Sequence, residues 1–104
     1  MNVYLLKIMT PEKQIYESKV ISVTVTGTDG RLTVLAGHEI MAATVTEGPI
    51  IIRTEQETME GVTGRGMMWV NRNEVAVMVH GFKWADEEAD IVSAEDAFAG
   101  DMMI

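Results

Sequence analysis

A chain of 104 residues with a formal charge of −8, two histidines and no cysteine excludes several protein classes at once. The length fits one small domain, and the missing thiols exclude a disulfide scaffold and a thiolate zinc centre. The acidity argues against nucleic acid, whose phosphates need neutralising cations, and against direct docking on an anionic membrane surface. Apolar runs fall short of the roughly 20 residues that span a bilayer as a helix. The opening ten residues lack the basic-then-apolar order of a signal peptide, so a cytoplasmic protein is expected.

Residues 3–9 form a mostly apolar run with β-branched and aromatic side chains, the first expected strand. Thr10-Pro11-Glu12-Lys13 is a turn in which Pro11 presets φ. Residues 14–17 read as a short edge strand. The stretch that organises the chain is 20–41. Ile21, Val23 and Val25 alternate with Ser22, Thr24 and Thr26, the period of a strand with one buried face. Gly27-Thr28-Asp29-Gly30 breaks the alternation with glycines able to take positive φ. Leu32 and Val34 resume it, and Gly37-His38 ends the second strand of the hairpin.

Further strands are expected at 41–45, 50–54, 58–63, 67–70 and 74–80. Turn residues separate them at Glu47-Gly48-Pro49, Glu55-Gln56-Glu57, Gly64-Arg65-Gly66 and Asn71-Arg72-Asn73. Three consecutive isoleucines at 50–52 suit a strand covered on both faces or one in a sandwich core. Short strands at this spacing predict a mainly β, antiparallel sandwich or barrel. After Lys83 the composition changes. Asp86, Glu87 and Glu88 suit a helix first turn, Ile91, Ala94 or Glu95, and Phe98 share one face at helical spacing, and Gly100 is a stop. The expected division is a β-sandwich domain at 1–84 and one short C-terminal helical segment at 85–104.

Parts for catalysis are scarce. His38 and His80 are far apart in sequence, and Ser18, Ser22 and Ser93 lack a nucleophile-elbow context. A metal-dependent enzyme on a small β-sandwich would need a cluster of histidines and a carboxylate. His38 reads instead as a turn residue whose ring bonds a backbone group, and His80 as a surface or capping residue. Gly27-Thr28-Asp29-Gly30 lacks the lysine and following helix of a phosphate loop. No catalytic residue, cofactor or metal site is predicted. Two apolar clusters exceed the needs of a half-buried strand. Gly66-Met67-Met68-Trp69-Val70 puts large apolar residues on both faces, and a second cluster runs from Met78 to Trp84, with Phe82 and Trp84 beyond the last expected strand. The terminal helix or another protein would have to cover them.

An ordered set of residues resembles a known family. Thr10-Pro11-Glu12-Lys13, Ile15-Tyr16-Glu17, Val20 and Val23 lead. Gly27, Gly30, Val34-Leu35, Gly37-His38, Gly48, Ile50 and Ile52 follow, then Gly66, Val70, Asn73, Val75, Val77 and Val79. Together they resemble the N-terminal β-sandwich of the epsilon subunit of F-type ATP synthases. The resemblance implies a flattened antiparallel β-sandwich of about ten strands. It implies a non-catalytic place in the central stalk, where the sandwich grips the gamma subunit and one end rests on the membrane proteolipid ring, coupling ion transport to ATP synthesis or hydrolysis. Carried onto this chain, Asp29, Gly30 and Arg31 with His38, Glu39, Ile40 and Met41 would face the ring. Met67, Met68 and Trp69 would meet gamma. The protein would sit peripherally on the cytoplasmic face of the cell membrane without inserting.

Several positions depart from the family pattern. Ala36 and Ile40 stand where prolines are common, Arg65 replaces the first glycine of a Gly-Gly pair, and Thr33 sits where glycine is common. In the tail, Asp90 and Ala94 fit the pattern of nucleotide-binding members, but Ser93 stands in place of its arginine, so ATP binding is not expected. A free-standing β-sandwich interaction module, or a paralogue outside the synthase, is the alternative that these departures allow.

Overall fold

A computed structural model describes residues 2–85; the tail expected to be helical lies outside them. Ten strands follow in order: β1 (Tyr4–Met9), β2 (Gln14–Val20), β3 (Ser22–Gly27), β4 (Gly30–Leu35), β5 (Met41–Val45), β6 (Gly48–Arg53), β7 (Thr58–Thr63), β8 (Gly66–Val70), β9 (Glu74–Val79) and β10 (Phe82–Trp84). One sheet layer runs β10-β7-β6-β3, with β4 on the other edge of β3; the second runs β5-β8-β9-β1-β2. The single pair Gly27 with Val45 joins them at one seam. All ladders are antiparallel except β1 with β9, which is parallel.

Alternation decides what lies between the layers. Tyr4, Leu6 and Ile8 on β1, Val23 and Val25 on β3, Ile50 and Ile52 on β6, Met68 and Val70 on β8, and Val75, Val77 and Val79 on β9 are all buried in one core. Each gains from leaving water in proportion to its apolar area, about 1.5–3 kcal/mol for a large side chain. Tyr4 is the one core side chain that carries a hydroxyl, and it donates to the Val34 carbonyl across the sandwich at 2.7 Å. The Thr63 hydroxyl is also buried and has no hydrogen-bond partner among the described residues.

Three expectations change. Ile21 falls in the bend before β3 and is only half-buried, whereas Ser22 is buried. The reason is position: Ser22 lies on the central strand between Leu35 and Arg53, whose larger side chains flank it on the same face. The edge strand at 14–17 extends to Val20, since β2 pairs with β1 along that whole length. Phe82 and Trp84 lie inside a short tenth strand paired with β7, not beyond the last one. There Trp84 meets Phe82 edge-on at 4.8 Å and Tyr16 of β2 at 5.7 Å. Edge-to-face pairs of this kind add to the burial of the rings. They close the second seam, where the two layers end in β10 and β2.

Candidate functional site

The two outer faces differ in chemistry. On the layer containing β3, most outward positions are threonine or charged (Thr24, Thr26, Arg31, Thr33, Arg53, Thr58, Glu60 and Lys83), with Leu35, Ile51 and Val62 scattered among them. Thr24 and Thr33 share a hydroxyl hydrogen bond at 2.8 Å. On the second layer the registers line up apolar side chains instead. Lys7, Ala76, Trp69 and Ala42 form one row across β1, β9, β8 and β5, and Met9, Met78, Met67 and Thr44 form the next. Trp69 is 42% exposed and Met78 38%. The Thr44 hydroxyl points at the Met67 sulfur, 3.9 Å away. Lys7 pairs with Glu74 at 3.5 Å at one side of this patch. That pair is half in solvent and contributes little to stability.

The cluster Met67, Met68 and Trp69 therefore splits. Met67 and Trp69 face outward, and Met68 is fully buried in the core, so its side chain presents nothing to a partner. Strand alternation requires the split. Met9 joins the patch only through the parallel β1–β9 ladder, which no local sequence signal reveals.

The other predicted contact residues occupy the two ends of β4. Asp29, Gly30 and Arg31 are exposed at the hairpin tip, where Gly30 takes φ +115°. They line a hollow together with Leu32, Ala43 and Thr44. At the far end, Gly37 at φ +84° turns the chain into the corner. Ile40 is 66% exposed there, Glu39 is exposed, His38 is half-buried and Met41 packs against the core. The His38 ring bonds the Glu39 carbonyl at 3.1 Å, as read from the sequence. Arg72, from the β8–β9 turn, lines the same hollow as Gly37, His38, Glu39 and Ile40. A six-residue strand is roughly 20 Å long, so the two groups lie at opposite ends of one strand and do not build one loop cluster. Among the described residues, no group of three or more His, Cys, Asp or Glu side chains could hold a metal ion, and no helix is long and apolar enough to cross a membrane.

Residues 4–85 match the family described as ATP synthase, Delta/Epsilon chain, beta-sandwich domain. The chain belongs to this family. The ATP synthase epsilon chain of Pelotomaculum thermopropionicum is 33% identical over 92 residues, 88% of this chain and 68% of that one. The epsilon chain of Caldicellulosiruptor saccharolyticus is 27% identical over 82 residues, 79% of this chain and 60% of the relative. The match thus spans about two thirds or less of the length of these relatives. Among solved structures, a chain of the Euglena gracilis mitochondrial ATP synthase (OSCP/F1/c-ring) superposes with a TM-score of 0.78 at 21% identity, covering 88% of this chain and 61% of that one. A chain of the Tetrahymena thermophila mitochondrial ATP synthase central stalk and c-ring gives 0.70 at 16% identity, with 91% and 75% covered. At such identities the likeness is one of fold. It agrees with the ten-strand sandwich found here, and the delta/epsilon sandwich is the frame in which the two surfaces are read.

Proposed function

We propose that this delta/epsilon sandwich is a non-catalytic rotor subunit of a rotary ATP synthase. In this reading its apolar outer face, centred on Trp69 and Met67, adheres to the gamma subunit. The observation that carries it is a difference between the outer faces: on one, exposed apolar side chains such as Leu35 and Val62 are scattered among threonines and charges, whereas the other lines up Trp69, Met67, Met78 and Met9 in adjacent register positions beside small alanines. Trp and Met are enriched where proteins meet, and exposed apolar patches of this kind mark interaction sites. The ends of β4, with Asp29, Gly30 and Arg31 at one and His38, Glu39, Ile40 and Met41 at the other, are the candidate contacts to the membrane proteolipid ring. The protein then sits peripherally on the cytoplasmic face of the cell membrane and transmits torque by shape and adhesion. The structural neighbours, one from an OSCP/F1/c-ring assembly and one from a central stalk with its c-ring, support this placement.

The test is co-elution on a sizing column with the gamma subunit from the same genome. A stable one-to-one complex is expected. Two separate peaks at micromolar concentrations would remove the stalk reading and leave the free-standing interaction module.

A further inference from the structure

The chain has nine methionines, six of them among the described residues, and the fold sorts those six. Met68 is in the core, and Met41 and Met59 pack against it. Met9, Met78 and Met67 do none of this. They stand abreast on neighbouring strands of the apolar outer face, Met9 opposite Met78 and Met78 opposite Met67. Adjacent strands lie about 4.8 Å apart. Met78 is 38% exposed, and Met9 and Met67 are half-buried at the surface. Next to the row, the Thr44 hydroxyl already points at the Met67 sulfur.

We propose that the Met9–Met78–Met67 row is an oxidation site that converts the adhesive outer face from apolar to polar. The oxidant is a peroxide. A thioether sulfur lone pair attacks one peroxide oxygen, the O–O bond breaks, and a sulfur–oxygen bond forms. Sulfur is oxidised by two electrons and the peroxide is reduced to water, the displaced hydroxide taking up a proton. Each event replaces a soft apolar side chain with a strongly dipolar sulfoxide, and reductases for each sulfoxide epimer reverse it. Three adjacent sites make the change in surface polarity cumulative. A sulfoxide on Met67 meets a hydroxyl donor at Thr44 and is stabilised there. Burial shields Met68, so the core stays intact while the surface changes. The effect on partner binding rests on the proposed gamma contact; the effect on the surface itself does not.

The experiment treats the free protein with hydrogen peroxide, maps oxidation by peptide mass spectrometry, and measures retention on a hydrophobic-interaction column. Met78 and Met67 are expected to oxidise several-fold faster than Met68, and retention to fall. The M9L/M67L/M78L variant keeps apolar volume and cannot be oxidised at the row, so it should lose much less retention than the wild type under the same treatment. Methionine sulfoxide reductases A and B together should restore the wild type. Oxidation of Met68 at the rate of Met78, or equal loss of retention in the variant, would overturn the proposal. A second arm titrates gamma. Untreated wild type should bind and treated wild type at least about tenfold more weakly, while the variant's own affinity, whatever its starting value, should be the same before and after treatment. If untreated protein fails to bind gamma, the stalk reading falls, while the column decides the oxidation site on its own.

Discussion

At the scale of single residues, Tyr4 shows how a polar group is carried inside. Its hydroxyl is satisfied by the Val34 carbonyl, and burial pushes the phenol well above its ordinary value, an effect that the Val23 backbone only partly offsets. The sign of the consequence follows from proton binding. In the unfolded chain the phenol loses its proton near 10.0, and in the folded chain it holds it to higher pH. Below pH 10 the stabilisation is fully present. Above it the unfolded state binds fewer protons, so stability falls by up to about 1.4 kcal/mol per pH unit. Tyr4→Phe should flatten this decline in urea titrations above pH 10, while losing about 1 kcal/mol near neutrality for the hydrogen bond. An unchanged decline would place its source elsewhere. Residue chemistry also explains Met68: the sequence shows that the run around it is apolar on both faces, but not which face turns inward.

At the scale of elements, the β8–β9 ladder depends on Gly66. A Cβ there would collide with the Met78 carbonyl oxygen and lie 2.7 Å from the Val79 Cα, both rigid backbone. Gly66→Ala should cost about 2–3 kcal/mol, read as a lower urea midpoint; a shift within the scatter of surface substitutions would show that the ladder can slide apart. The two ends of β4 carry the ring contacts in the proposed function. Reversing the charge of the exposed Arg31 should leave the urea midpoint unchanged and reduce ATP-driven ion pumping in the assembled enzyme. Normal pumping would count against contact at the hairpin tip. Elements set off by clear turn residues were legible: 41–45 and 58–63 coincide with β5 and β7, and the alternating hairpin at 20–35 holds except for its first two residues. The three residues of β10 were not legible, because a strand that short has no period of its own and exists through its pairing with β7.

At the scale of the whole molecule, composition and turn spacing were enough for a β-sandwich, but not for its order. The parallel pairing of the first strand with the ninth is a long-range event, and it decides that Met9 extends the patch seeded by Met67 and Trp69. The apolar patch was therefore half legible: its centre could be read from an excess of apolar residues on one strand, its extent only from the register. Placing the two predicted loops at opposite ends of β4 likewise needed the ladder. The molecule displays one outer face of mixed chemistry and one on which apolar side chains stand in adjacent rows, and the central claim is that the second is the one gamma holds. The most direct test compares two exposed apolar residues on opposite layers, Trp69 at 42% and Val62 at 39%. Calorimetric titration of gamma should show Trp69→Ala weakening binding by at least about 2 kcal/mol, with Val62→Ala inside about 0.5 kcal/mol of the parent. Equal losses, or a larger loss at Val62, would contradict the assignment of the gamma contact to the Trp69 face.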